Sequence, residues 1–231
     1  MLRGVIALMA LLSAAPACAQ LSGSAALLSD YRYRGVSLSD GKPAAQLGLT
    51  YDFDDGIYAG LLFSSTQFAY GRRSGALLLP YVGYAKRLNG GLSWEVGAQY
   101  SRFTGTNCCG YAEIYAGFGS DHLYGRLYYS PDYFGRASTL YAELDGNRAV
   151  GEHWRAFAHA GLLRFNDIES SRGERRRYRY DLQAGFALDL HTADVQLSWS
   201  VSGGGDGRYC AYPCWDATDR SGWMLALTHR W

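Results

Sequence analysis

The chain has 231 residues, 48% of them hydrophobic and 19% charged, with a net charge of +1, and that near-neutrality points away from bulk nucleic-acid binding. Mean hydropathy is only −0.17, so apolar residues are interleaved with polar ones rather than gathered into the long blocks of a helical membrane protein. Glycine (29) and tyrosine (19) are abundant while proline numbers 5, a balance that suits strands and tight turns better than helices.

The first element breaks this rule. "MLRGVIALMALLSAAPACAQ" joins a basic Arg3, an apolar core from Val5 to Leu12 and a small-x-small site at Ala17-Cys18-Ala19. That is the pattern of a cleaved signal peptide, and its core is too short to span a bilayer. Ala15, Pro16 and Ala17 lack the aliphatic residue that acylation of Cys18 as a lipoprotein would need. The expected domains are a signal peptide over residues 1–19 and one mature, exported domain over 20–231.

From there the pattern is period two. Alternation predicts about twelve strands, near 23–34, 43–53, 57–66, 75–88, 92–104, 110–120, 122–130, 138–150, 154–166, 176–189, 194–203 and 221–231. In the fifth, Leu92, Trp94, Val96, Ala98 and Tyr100 share one face, with Ser93, Glu95, Gly97 and Gln99 on the other. Such strands have one apolar and one polar side. Even-numbered strands end in tight turns, at Asp54-Asp55-Gly56, Asn89-Gly90-Gly91, around Asp121, at Gly151-Glu152-His153 and at His191-Thr192-Ala193. Odd-numbered strands lead into longer polar loops. Short turns at one end, long loops at the other and an even strand count predict an all-β fold, a transmembrane antiparallel up-and-down barrel of the bacterial outer membrane. Backbone groups in lipid must all be paired, so the sheet must close.

The last strand carries Trp223, Leu225, Leu227, His229 and Trp231 on one face. A terminal aromatic strand of this kind is what outer-membrane assembly machinery reads, which makes Trp231 the expected assembly signal and also an interfacial girdle residue.

The stretch "SDYRYRGVSLSDGKPAAQLGLTYDFDDGIYAG" (29–60) adds a resemblance. Ser29-Asp30-Tyr31-Arg32-Tyr33-Arg34-Gly35, then Pro43-Ala44 with Gln46, then Tyr58-Ala59-Gly60 resemble the opening of a proteobacterial family of TorF-type porins. The resemblance implies an envelope location and a pore. It brings no substrate, cofactor or catalytic residue.

With apolar faces toward lipid, the pore-lining candidates are Asp30, Arg32, Arg34, Asp52, Glu95, Glu113, Arg126, Glu143, Asp145, Arg155, His159, Arg179 and Asp181. Acids and bases nearly balance, so the count assigns no selectivity. Twelve strands about 4.8 Å apart and tilted about 40° give a backbone radius of roughly 12 Å and a channel of the order of 10 Å. Gly48, Gly60, Gly83, Gly97, Gly117 and Gly185 fall on the inner face and would thin the wall, whereas Tyr58, Tyr81, Tyr115, Tyr124, Tyr128 and Tyr141 could close it. The first expectation is a porin-like channel for passive diffusion of small polar solutes, with no cofactor and no metal. The second is a plugged barrel with a structural or adhesive role. The third is a lipid-modifying enzyme, which would need a histidine beside a nucleophile at the lipid face. His122, His153 and His191 fall in turns, His159 shares a face with Arg155, and neither GxSxG nor HExxH occurs.

Two further sets belong to the long loops. Arg172, Arg175, Arg176 and Arg177 in "SSRGERRRYRY" suit bidentate contact with lipopolysaccharide phosphates at the outer rim. Cys108, Cys109, Cys210 and Cys214 form an even set in an exported chain, which suggests disulfides. Two cross-loop bridges in either connectivity are expected, with Cys210 to Cys214 as the local alternative. The expected partners are therefore outer-membrane lipid and lipopolysaccharide, the assembly machinery and small polar solutes.

Overall fold

The computed structural model describes residues 20–68, 74–105, 110–135, 137–166, 178–204 and 221–231. The expected signal peptide over residues 1–19, the cysteines Cys108, Cys109, Cys210 and Cys214, and the arginines Arg172, Arg175, Arg176 and Arg177 lie outside the described residues.

Among the described residues, twelve strands close into an antiparallel barrel. They are β1 (Leu21–Leu28), β4 (Ala44–Asp52), β5 (Ile57–Gln67), β6 (Ser74–Arg87), β7 (Ser93–Phe103), β8 (Tyr111–Gly119), β9 (Leu123–Tyr133), β10 (Ala137–Ala149), β11 (Trp154–Phe165), β12 (Tyr178–Leu190), β13 (Ala193–Gly203) and β14 (Ser221–Arg230). Two short strands, β2 (Arg32–Tyr33) and β3 (Val36–Ser37), form a separate hairpin. Each wall strand pairs with its sequence neighbour, and β1 closes the ring by pairing with both β4 and β14.

Alternation decides which way each side chain faces. On β8, Ala112, Ile114, Ala116 and Phe118 are exposed on the outside, while Tyr111, Glu113 and Tyr115 are buried inside. The same holds for Leu127 and Tyr129 on β9, Leu182 and Phe186 on β12, and Leu197 and Trp199 on β13. An outer surface of Leu, Val, Ile, Phe and Trp around a polar interior is the reverse of a soluble protein, and only a lipid surround makes it stable.

Eleven of the expected strands appear within a few residues of their predicted limits, and the tight turns fall where expected. The first does not. Its predicted span, 23–34, ends early: β1 stops at Leu28 and residues 29–43 turn inward, so Asp30, Arg32 and Arg34 belong to the hairpin rather than to the wall. The turn uses Arg34 (φ 49°) and Gly35 (φ 73°), the left-handed pair that a two-residue hairpin loop requires. Asp30 holds its base, accepting from Ser37 Oγ at 2.5 Å, Ser39 Oγ at 3.0 Å and Arg32 Nε at 2.8 Å.

The link from β9 to β10 is also tighter than expected. Phe134 (φ 52°) folds back into the barrel mouth. There it packs on Phe103, Tyr111 and Tyr133 at centroid distances of 5.6, 4.7 and 4.7 Å. The long-loop end is thus filled by an aromatic belt and by the hairpin, whereas the short-turn end stays open.

Candidate functional site: the barrel lumen

The inner glycines do not widen the channel as their position on the inner face suggested. Each of three faces a tyrosine directly across the sheet: Gly60 opposite Tyr81, Gly83 opposite Tyr58 and Gly97 opposite Tyr115. A Cβ at any of these glycines would collide with the opposing ring. The space that glycine leaves is therefore occupied, and the tyrosine lies flat along the wall with its hydroxyl turned toward a neighbour.

The Tyr81 hydroxyl pairs with Thr50 Oγ1, whereas that of Tyr58 reaches Glu95. Tyr58 Oη donates to its Oε2 at 2.6 Å, Arg126 Nε donates to its Oε1 at 2.6 Å, and Tyr124 donates to Oε1 as well. Tyr58 and Tyr115 share a hydrogen bond of 2.8 Å, and Arg126 Nη1 donates to Tyr128 Oη at 2.8 Å. Tyr128 in turn donates to Glu143 at 2.9 Å. One chain of bonds thus links five strands, β5 and β7 to β10, so a carboxylate and a guanidinium in the wall are paired directly with each other.

A second group lies deeper. Arg34, at the hairpin tip, meets Glu113 in a two-pronged pair, with Nη1 to Oε1 at 2.7 Å and Nη2 to Oε2 at 3.0 Å. Gln99 Nε2 donates to Glu113 at 2.8 Å, and the carboxylate is 1% exposed. The Arg34 guanidinium stands 4.3 Å from the Tyr141 ring centre, 4.8 Å from Tyr128, 4.9 Å from Tyr33 and 5.5 Å from Tyr133, within cation–π range of all four. On the opposite wall, Arg179 Nη2 donates to the Gly35 carbonyl at 3.2 Å and to Ser202 Oγ at 3.1 Å, and Ser202 donates to the same carbonyl at 2.8 Å. The hairpin therefore bridges the lumen from β8 to β13. Outside the spanning strands, burial pushes the Tyr31 hydroxyl up, with nearby Arg34 opposing.

The third group centres on His159. Its Nδ1 lies 2.7 Å from Asp145 and its Nε2 lies 2.8 Å from Asp181; Tyr141 Oη also donates to Asp181, at 3.2 Å. Glu143, Asp145 and His159 offer ligand atoms close enough for a metal ion. However, each ring nitrogen faces a carboxylate oxygen, and a ring that donates from both has no lone pair left for a metal. Toward the short-turn end, Arg155 pairs with Asp189 at 3.1 Å and Arg230 with buried Asp194, while Asp52 stands exposed at the rim.

Among the described residues, two cavities lie in the lumen. One, of about 630 Å³, opens at the short-turn end past Ser24, Thr50, Tyr58 and Arg126. The other, of about 450 Å³, lies beneath the hairpin and is lined by Arg34, Glu143, Asp145, His159 and Asp181. Both border Leu62, Leu79 and Gln99.

The thirteen expected lumen residues thus divide between wall networks around Glu95, Glu113, His159 and Arg179, the hairpin with Asp30, Arg32 and Arg34, and the short-turn end with Asp52 and Arg155. Sequence reading missed Gln99's hold on Glu113, Ser202 and the tyrosines' role as donors, since these follow from register across strands rather than from position along one. His159 faces the lumen, among carboxylates.

The same barrel occurs in solved structures. An outer membrane channel from Pseudomonas putida F1 superposes with a TM-score of 0.56 at 12% identity, over 94% of this chain and 98% of that one. A KdgM porin gives 0.54 at 10%, over 90% and 98%. LpxR from Salmonella typhimurium gives 0.51 at 8%, over 91% and 99%. At such identities the likeness shows the fold, that of outer-membrane barrels. No curated protein sequence matches the chain. Residues 13–212 match the model of a bacterial family described as being of unknown function, and the chain belongs to that family, Gcw_chp.

Proposed function

We propose that this protein is a channel of the bacterial outer membrane for the passive movement of small polar solutes, its short turns in the periplasm and its long loops outside. The lumen carries this reading: a polar, hydrogen-bonded interior with two cavities bordering the same three residues, inside a wall whose outer face is apolar. Kinship in fold with a porin and an outer membrane channel supports it, as does the likeness of residues 29–60 to TorF-type porins. The signal peptide would deliver the chain, Trp231 would engage the assembly machinery, the four cysteines would tie two outer loops, and Arg172, Arg175, Arg176 and Arg177 would meet lipopolysaccharide phosphates.

The hairpin favours a second reading, a plugged barrel with a structural or adhesive role, because it closes the outer half of the lumen. Single-channel recording on the refolded, oxidised chain separates the two. Stepwise currents support the channel, and larger currents on adding reductant would place the cysteine loops over its mouth. Silence from a preparation with full sheet circular dichroism, with and without reductant, refutes the channel and leaves the plug.

A further inference from the structure

The pocket that holds Arg34 has the construction of a receptor. Its carboxylate, Glu113, is set in a fork geometry by Gln99, and the rings of Tyr128 and Tyr141 lie over the bound guanidinium. A pin needing only opposite charge would be served by a lysine and one carboxylate. A planar fork between aromatic faces instead discriminates guanidinium from ammonium. Receptor and ligand also come from different parts of the fold. Glu113, Gln99, Tyr128 and Tyr141 stand on wall strands β7 to β10, whereas Arg34 arrives on an inserted hairpin with two-residue strands. Beneath it lies the 450 Å³ chamber, where Asp145 and Asp181 are paired with His159 and Glu143 stands near the cage with Arg32 and Arg34 on the same lining, so charge there is nearly balanced and selection falls to the cage itself.

We propose that the cage is a solute subsite for a small cation bearing a guanidinium group, occupied at rest by the chain's own Arg34, and that such a solute, arriving from the short-turn side, exchanges with Arg34 and releases the hairpin tip from β8 while Gly35 stays held by Arg179 and Ser202. The proposal rests on the channel reading for the release step alone; the cage itself is tested without current.

Methylguanidinium and methylammonium, equal in charge and different in shape, are the probes. In detergent micelles the thermal midpoint of the sheet signal is followed for Arg34→Ala, for Arg34→Ala with Glu113→Gln, and for wild type. Methylguanidinium at about ten times its Kd should raise the midpoint of Arg34→Ala by roughly 3–6 °C. Methylammonium should not, and the double variant should respond to neither. Equal response to the two cations, no response, or a response that survives in the double variant overturns the cage. If Arg34→Ala does not fold with Glu113 left uncompensated, its refolding yield is compared in methylguanidinium and in methylammonium: rescue by the first alone supports the cage, and equal rescue or none overturns it. In bilayers, wild-type current should rise with methylguanidinium and not with methylammonium; an unchanged current overturns the release step. Silence in every variant alongside the guanidinium-specific thermal shift refutes the channel and the release step while supporting the cage.

Discussion

An arginine placed on the outer face should cost an amount set by its height in the membrane. Ile114 is 61% exposed on that face and sits one position from the centre of β8, a strand of nine residues. At about 3.4 Å per residue and about 40° of tilt, one position is about 2.6 Å of height, so Ile114 lies near the bilayer midplane. Leu123 is also outward and 49% exposed, but it begins β9, five positions from that strand's centre, or about 13 Å away. That is the edge of an apolar band about 25 Å tall. Ile114→Arg should therefore destabilise by about 2–4 kcal/mol and Leu123→Arg by about 0–1 kcal/mol. Reversible urea unfolding in phospholipid vesicles, followed by tryptophan fluorescence, measures both. Equal costs at the two heights would refute the reasoning, because a depth gradient is the signature of lipid and not of any protein partner.

Two other outcomes follow from the lumen. Gly83→Val should lose about 1–3 kcal/mol, because its side chain meets the Tyr58 ring; adding Tyr58→Ala should make the pair cost less than the sum, by thermal melting. Glu95→Gln removes the charge opposite Arg126 and should cost about 3 kcal/mol in urea unfolding, with Arg126→Met in the same chain recovering much of it.

Much of the barrel was legible because lipid imposes a rule on every strand. Ile114, Leu127 and Trp199 must face out, so Glu113, Tyr128 and Ser200 face in, and the pattern survives reading one strand at a time. The hairpin was not legible for the same reason: in "SDYRYRGVS" Asp30, Arg32 and Arg34 alternate with Tyr31 and Tyr33 like a wall strand. The available signal was turn chemistry, with Asp30, Ser37 and Ser39 as short polar acceptors and donors around Arg34-Gly35. The meaning of Gly60, Gly83 and Gly97 lay in the opposite strand, and register across strands cannot be read from alternation.

The bridge from Arg34 to β8 on one side and from Gly35 to β12 and β13 on the other has a bearing on biogenesis. A hairpin gripped by strands from both halves of the ring cannot be threaded in afterwards through a mouth lined by Phe103, Tyr111 and Phe134. The ring itself is shut by the ladder between the first and last wall strands, which runs from Leu28 opposite Ala226 to two backbone bonds between Gly23 and Trp231, of 3.0 and 3.1 Å. Insert and wall must therefore be gathered together, the early hairpin waiting as a template on which later strands arrange themselves. A lesion in 29–43 would then be felt as a failure of assembly before it was felt as a change in traffic through the finished barrel.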